Sequence, residues 1–442
     1  MMRSMYSGVS GLRTHQTKMD IIGNNIANVN TVGFKRSSIT FKEIFAQTIS
    51  GAGAPQGGRG GTNPQQIGLG VGVGSISVNH TQGTVQSTGY TTDLMVDGNG
   101  YFIVSGDANA QSHYYTRAGN FDFDQEGNFV TPSGYKVLDK NLEPIKLNRS
   151  EIKPATATTG IELNGNINID DATASTVVKV YDSLGDTHNL TIDFGAVNKY
   201  AGPPAYSTRQ VTITDEAGTV MYGGTGAERY IRFNSSGVCE ARNADPTATP
   251  PVVFNSGLYS DAAGTAAVGP AGTPETFTLS YPGADDITIA MSPDVFVNDD
   301  NEPILNQVSG ESDVKGVQLS GRSAGTLDGY YIATTGEIFG TFTNGEDKVL
   351  ATIGLVDFDN PAGLLKIGGN LFIDSPNSGT PKYGAPMTGS FGDLKPGSLE
   401  MSNVDLSLEF TEMITAQRGF QANSRIITTT DEMLQELVNL KR

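Results

Sequence analysis

Residues able to do chemistry are sparse in this chain. Gly321-Arg322-Ser323-Ala324-Gly325 has the G-x-S-x-G spacing of a nucleophile elbow, which presents a serine on a sharp turn between a strand and a helix. Here Thr326-Leu327-Asp328-Gly329 follows, a turn composition, and none of His15, His80, His113 and His188 stands in a triad context. Asp122, Asp124 and Glu126-Gly127 imitate the opening of a calcium loop. Its twelfth position is Ser133, whereas such a loop closes on a glutamate that grips the ion with both oxygens, so a hairpin turn is expected. Gly68, Gly70, Gly72 and Gly74 alternate with apolar residues and lead to no Gly-Lys-Ser/Thr, which predicts a strand rather than a phosphate cradle. Cys239 is the single cysteine; it falls in a predicted turn, 234–240, and reads as a small apolar filler. The expectation is no catalytic, cofactor or metal site, and no enzyme.

The ordered signal lies in the elements at the two ends. Leu406, Met413, Phe420, Ile427 and Leu434 recur every seventh residue. That spacing predicts a helix with one narrow apolar seam made to pack on another helix. Ser402, three before Asp405, predicts a capping-box start. A helix from about 402 to 442 is about 60 Å long at about 1.5 Å per residue. Gly419 and the β-branched run 426–430 weaken it alone, so it needs a partner. Met5, Leu12, Met19 and Ile26 repeat the same spacing at the other end of the chain. These nine residues are the predicted assembly contacts. The charges agree: residues 1–42 carry six bases against Asp20, while residues 400–442 carry seven acids against four bases.

Composition narrows the class. The chain has 442 residues, 37% of them hydrophobic, 55 glycines and a net charge of −18, which suits several thin, turn-rich domains better than one large core. The acidity lies in the middle and argues against nucleic acid and anionic membranes as partners. No apolar run reaches the roughly 18 residues of a membrane helix, and the start lacks the apolar core of a secretory leader.

Read in order, the chain is nested. Helical ends (1–30 with 403–442) form a coiled-coil-like inner domain. Connecting stretches follow (31–70 with 385–402), including a short amphipathic piece at 39–49 with Phe41, Ile44 and Phe45 turned inward, and a flexible glycine-rich linker at 50–64. A first β domain (71–150 with 312–384) shows a strand, turn, strand signal at Leu94-Met95-Val96, Asp97-Gly98-Asn99-Gly100 and Tyr101-Phe102-Ile103-Val104. An inserted outer β domain occupies 151–311, with a hairpin over 177–194 and an irregular stretch at 244–274. The fold class is therefore mainly β with α-helical termini that pair.

The run 24–35 (NNIANVNTVGFK), with Met5, Ser7, Gly8 and Leu12 before it, resembles the opening signature of bacterial flagellar rod and hook proteins. The runs 397–405 (GSLEMSNVD) and 416–423 (AQRGFQAN) resemble the matching C-terminal signature, and 180–185 (VYDSLG) and 102–117 resemble stretches of the β domains. The resemblance implies a structural homo-oligomer: a tubular helical polymer with the terminal helices lining a channel. The extra β region fits the hook branch, a curved, flexible joint coupling motor rod to filament. It implies an extracellular place in the flagellum, export as an unfolded chain through the growing tube by the flagellar export apparatus without a cleaved signal peptide, and contact with the distal rod protein, the hook cap protein and the hook-filament junction protein. In some spirochaete hook proteins a cysteine links neighbouring subunits through lysine. The alternatives are the distal rod protein of the same family and, from another class, a secreted β-rich adhesin.

Overall fold

A computed structural model describes residues 2–55, 60–107, 110–201, 205–224, 228–239, 258–259, 275–279, 284–291 and 304–440. The chain divides into two compact units, one built from 1–149, 329–340 and 347–442, the other from 150–328 and 341–346.

The first unit holds both long helices, α1 (Met2–Ala27) and α2 (Leu406–Asn439). Helix α1 ends where asparagines take over the backbone bonds: Asn28 Nδ2 donates to the Asn24 carbonyl at 2.9 Å. Helix α2 starts later than the Ser402 box predicts. Its cap is Asp405, whose carboxylate accepts from the Ser407 and Leu408 amides at 2.8 and 3.2 Å. Ser402 is buried, and the intervening Asn403 is drawn out of the helix by bonds to Arg36 N, Asn79 O and Thr81 O. The β-branched run stays helical, with Thr429 and Thr430 returning their hydroxyls to carbonyls one turn back.

The amphipathic piece predicted at 39–49 is instead β structure. Ser37–Glu43 pairs antiparallel with Val71–Val78, and Ala46–Ser50 with Gln65–Gly68. Phe41, Ile44 and Phe45 are exposed rather than inward, although the Phe41 ring meets the His15 ring of α1 edge-on; a two-stranded ribbon buries little on its own. The described part of 50–64 ends this ribbon, with Gly53 and Thr62 exchanging backbone bonds at 3.0 Å; residues 56–59 lie outside the described residues.

The first unit's core is built on Tyr101–Ser105, buried on both faces. Phe102 and Val104 enter one apolar cluster, Tyr101 and Ile103 another, the two-residue alternation of a strand. Leu94–Asp97 precedes it but does not pair with it; its partner is Asp393–Pro396, just ahead of α2. Gly98 and Gly100, at φ of 114° and 126°, lie far from hairpin-turn angles and send the chain on to Tyr114–Thr116, Lys136–Val137 and Leu355–Asp357.

The second unit is a β structure around Val178, Val180, Leu190, Ile192, Phe194, Val211 and Ile213. Its hairpin joins Ala174–Tyr181 to Thr187–Tyr200 as predicted, the turn held by Asp182, which accepts from the Leu184 and Asp186 amides. Of the stretch 244–274, only Leu258–Tyr259 is described; it pairs with Tyr230 and Ile231, so that dipeptide is strand rather than irregular.

Candidate assembly core

Helices α1 and α2 run antiparallel. A Cβ added at Gly8 would lie 3.4 Å from Ile427, one at Gly11 would lie 2.7 Å from Asn423, and one at Gly419 would lie 2.5 Å from the His15 ring. Gly8, Gly11 and Gly419 therefore mark where the partner helix fills the space a side chain would need, and Gly419, read from sequence as an interruption, is a packing site. A larger side chain at Gly11 would overpack the seam, which typically costs about 1–3 kcal/mol.

The predicted contacts differ in burial, and Ile427 meets Gly8 in this seam. Met5, Leu12, Met19 and Ile26 on α1, and Met413, Phe420, Ile427 and Leu434 on α2, are all half-buried. Leu406, at the first position of α2, is exposed. Helix α1 spans 26 residues and α2 spans 34, so the last turns of α2, Leu434 included, run past the start of α1. Most of the deeply buried seam positions are ones a search for apolar side chains passes over: Gly8, Gly11, Thr14 and Asn25 on α1, Glu409 and Thr430 on α2. Only Ala416 and Ile22 among the fully buried ones carry an apolar signal.

Polar groups fix the register. Glu409 is fully buried and accepts hydrogen bonds from Arg36 Nε and, at 3.3 Å, from Asn25 Nδ2. Arg36 Nη2 reaches Glu412 at 3.1 Å, and Lys18 meets the other Glu412 oxygen at 3.2 Å. Asn25 also holds the backbone of Ser37 through two bonds. Burial lowers the proton affinity of the Arg36 guanidinium, and the two carboxylates outweigh it, leaving it above its ordinary value. His15, pressed on Gly419, is pushed below its ordinary value by burial and by Lys18. A second face of α2 stays open: Phe410 is 51% and Ile414 57% exposed, one turn apart, with Leu406 in line.

The chemical motifs resolve as structure. Gly325 opens the strand Gly325–Ile332, so Ser323 is followed by a strand and not by the helix an elbow requires. Asp124 accepts from Asn128 N and Nδ2 at 2.7 and 2.8 Å, closing a hairpin between Asp122–Phe123 and Phe129–Val130. Among the described residues no three His, Cys, Asp or Glu groups lie close enough to share a metal ion, and no helix is long and apolar enough to cross a membrane. Cys239 is 1% exposed within the second unit's core. Its thiol is expected to resist a maleimide in the folded chain at neutral pH and to react fully in denaturant; stoichiometric labelling of the native chain would contradict this packing.

Comparison with known proteins meets this geometry at both ends. The family model "Flagella basal body rod protein" matches residues 5–35 and "Flagellar basal body rod FlgEFG protein C-terminal" matches 395–440. Between them, "Flagellar hook protein FlgE/F/G D1 domain" matches 95–181 and "Flagellar basal body protein FlaE D2 domain" matches 164–321. The chain is 36% identical to the flagellar hook protein FlgE of Borreliella burgdorferi and 32% identical to that of Treponema pallidum, in each case over 100% of both chains. It is 34% identical to the flagellar basal-body rod protein FlgG of Bacillus subtilis, again over 100% of both. Kinship from end to end, with the terminal matches falling on the two helices that pair, leaves one conclusion: the chain belongs to the flagellar hook and rod protein family.

Proposed function

We propose that the chain is a structural subunit of the flagellar hook, polymerising into a curved hollow tube that couples motor rod to filament as a flexible joint. The full-length identity to hook proteins carries this reading. The antiparallel helix pair with a second, unpartnered apolar face on α2 supports it, because such a face is stable only when a neighbour covers it, and here the neighbour is another copy. Leu406, Phe410 and Ile414 are then contacts between subunits. Met5, Leu12, Met19, Ile26, Met413, Phe420 and Ile427 shape the pair inside each one, and Leu434 lies in the overhang that a neighbour would meet. Phe41, Ile44, Phe45, Ile49, Ile67 and Ile76, exposed on the ribbon, add a further apolar surface for the assembled state. The subunit works outside the cell without catalysis or cofactor, and reaches its place unfolded through the growing tube by flagellar export. It meets the distal rod protein at one end of the tube, and the cap and later the hook-filament junction protein at the other.

Electron microscopy of purified protein tests this. The wild type is expected to give curved tubes, and Phe420→Asp or Leu406→Asp a soluble, β-folded monomer without polymer. Normal tubes from either variant would refute the helix contacts. The kinship to a rod protein favours one second reading, a distal rod subunit, and straight rather than curved polymers would support it.

A further inference from the structure

Three of the stretches of the first unit that carry the family resemblance each deliver one charge to the same buried point. Lys35 closes the N-terminal run, Glu400 stands in the C-terminal run, and Arg117 ends the stretch 102–117. Lys35 is 1% exposed and Glu400 0%. Lys35 Nζ meets Glu400 Oε1 at 2.6 Å and Arg117 Nη1 meets Oε2 at 3.5 Å. Further bonds tie the same point together: Gly83 N donates to Glu400 Oε1 at 2.9 Å, Gly33 N to the Glu400 carbonyl at 2.8 Å, and Lys35 Nζ to the Thr81 carbonyl at 2.9 Å. Arg117 also donates to Val96 O and Gly98 O and lies over the Tyr101 ring. One carboxylate thus joins the segment after α1, the chain returning from the ribbon, the β core and the lead-in to α2.

We propose that Lys35, Arg117 and Glu400 act as an alignment lock, which lets the paired ends of the chain dock on the β core of the first unit in one register only. A shift of either end by one residue would strand a charge in an apolar interior. Breaking a buried pair on one side weakens folding about a hundredfold or more, whereas replacing the whole set by apolar residues of similar volume is often harmless to stability. Apolar contacts alone tolerate sliding, since one methyl replaces another. Lys35, Arg117 and Glu400 are therefore positioning residues. The lock is a property of the single chain and stands apart from the reading of what the polymer does.

The test separates alignment from stability. Two variants are compared with the wild type: Glu400→Gln, which removes one charge, and the triple Lys35→Met, Arg117→Met, Glu400→Leu, which removes all three. Spin labels at exposed Gln16 and Gln125 report the distance between α1 and the β core in the full-length chain, with urea unfolding alongside. The expected result is a folding equilibrium weakened at least tenfold in Glu400→Gln and largely restored in the triple, whose distance distribution nevertheless broadens or splits. A single narrow distance in the triple, as in the wild type, would overturn the proposal. For a triple that does not fold, the cycle of Lys35→Met and Glu400→Gln decides. A lock requires the second substitution to cost several-fold less once the first is present, and independent costs would overturn it.

Discussion

Glu409→Ala is expected to destabilise the first unit by about 3 kcal/mol and to abolish assembly. The carboxylate is fully buried between α1 and α2. Its loss leaves the Arg36 guanidinium with Glu412 alone, which Lys18 already engages, and leaves Asn25 Nδ2 with the Ser37 carbonyl only. The cost sits at the low end of the range for broken buried pairs because the Arg36 side chain keeps 18% of its surface in water, where solvent screens part of the lost attraction. Glu409 is also in the first turn of α2, where the helix dipole stabilises a negative charge, so Glu409→Gln should recover only part of the loss. Urea unfolding of Glu409→Ala, Arg36→Ala and the double variant checks this. The pair must show a coupling of about 1 kcal/mol or more; additive losses would mean that the contact contributes nothing of its own.

The fate of Glu409 shows where the sequence stopped being legible. The seven-residue stripes located both helices, and the opposite charges of the ends pointed to their pairing, because periodicity and charge are local properties of a linear string. The seam's other half could not be read. Its buried positions are Gly8, Gly11, Glu409 and Thr430, and an apolar search ranks such residues as surface or as helix breakers. Gly419 is the plainest case: it lowers helix propensity in isolation, yet the His15 ring occupies the space a side chain would need. The burial of Lys35 and Glu400 was not legible for a similar reason, since it depends on a partner 365 residues away. The ribbon was missed differently. Phe41, Ile44 and Phe45 carry an apolar signal that normally means core, and in the single chain they have none to enter.

Lowering the pH from 7 to 4 should destabilise the first unit through His80, by about 2 kcal/mol once its partial exposure is allowed for. The ring lies beside the lock: Nδ1 is 2.7 Å from the Tyr101 hydroxyl, Nε2 has no hydrogen-bond partner among the described residues, and Phe372 covers one side. Burial, then the charges of Lys35 and Arg117, push its pKa from 6.5 down to about 4. The folded chain therefore holds a neutral imidazole where the unfolded chain takes up a proton more readily. Stability from this group is complete above about 6.5 and is lost as the pH falls from there to about 4. Tyr101, pushed up to about 12 by burial, stays a neutral hydroxyl throughout, so it can hold the ring nitrogen but cannot balance a third positive charge next to Lys35 and Arg117. His15 shifts in the same direction and adds to the slope from the helix seam. Urea midpoints measured between pH 4 and 7 for the wild type and His80→Asn separate the two. The variant should keep only the shallower dependence, and an unchanged slope would place the acid sensitivity outside the lock.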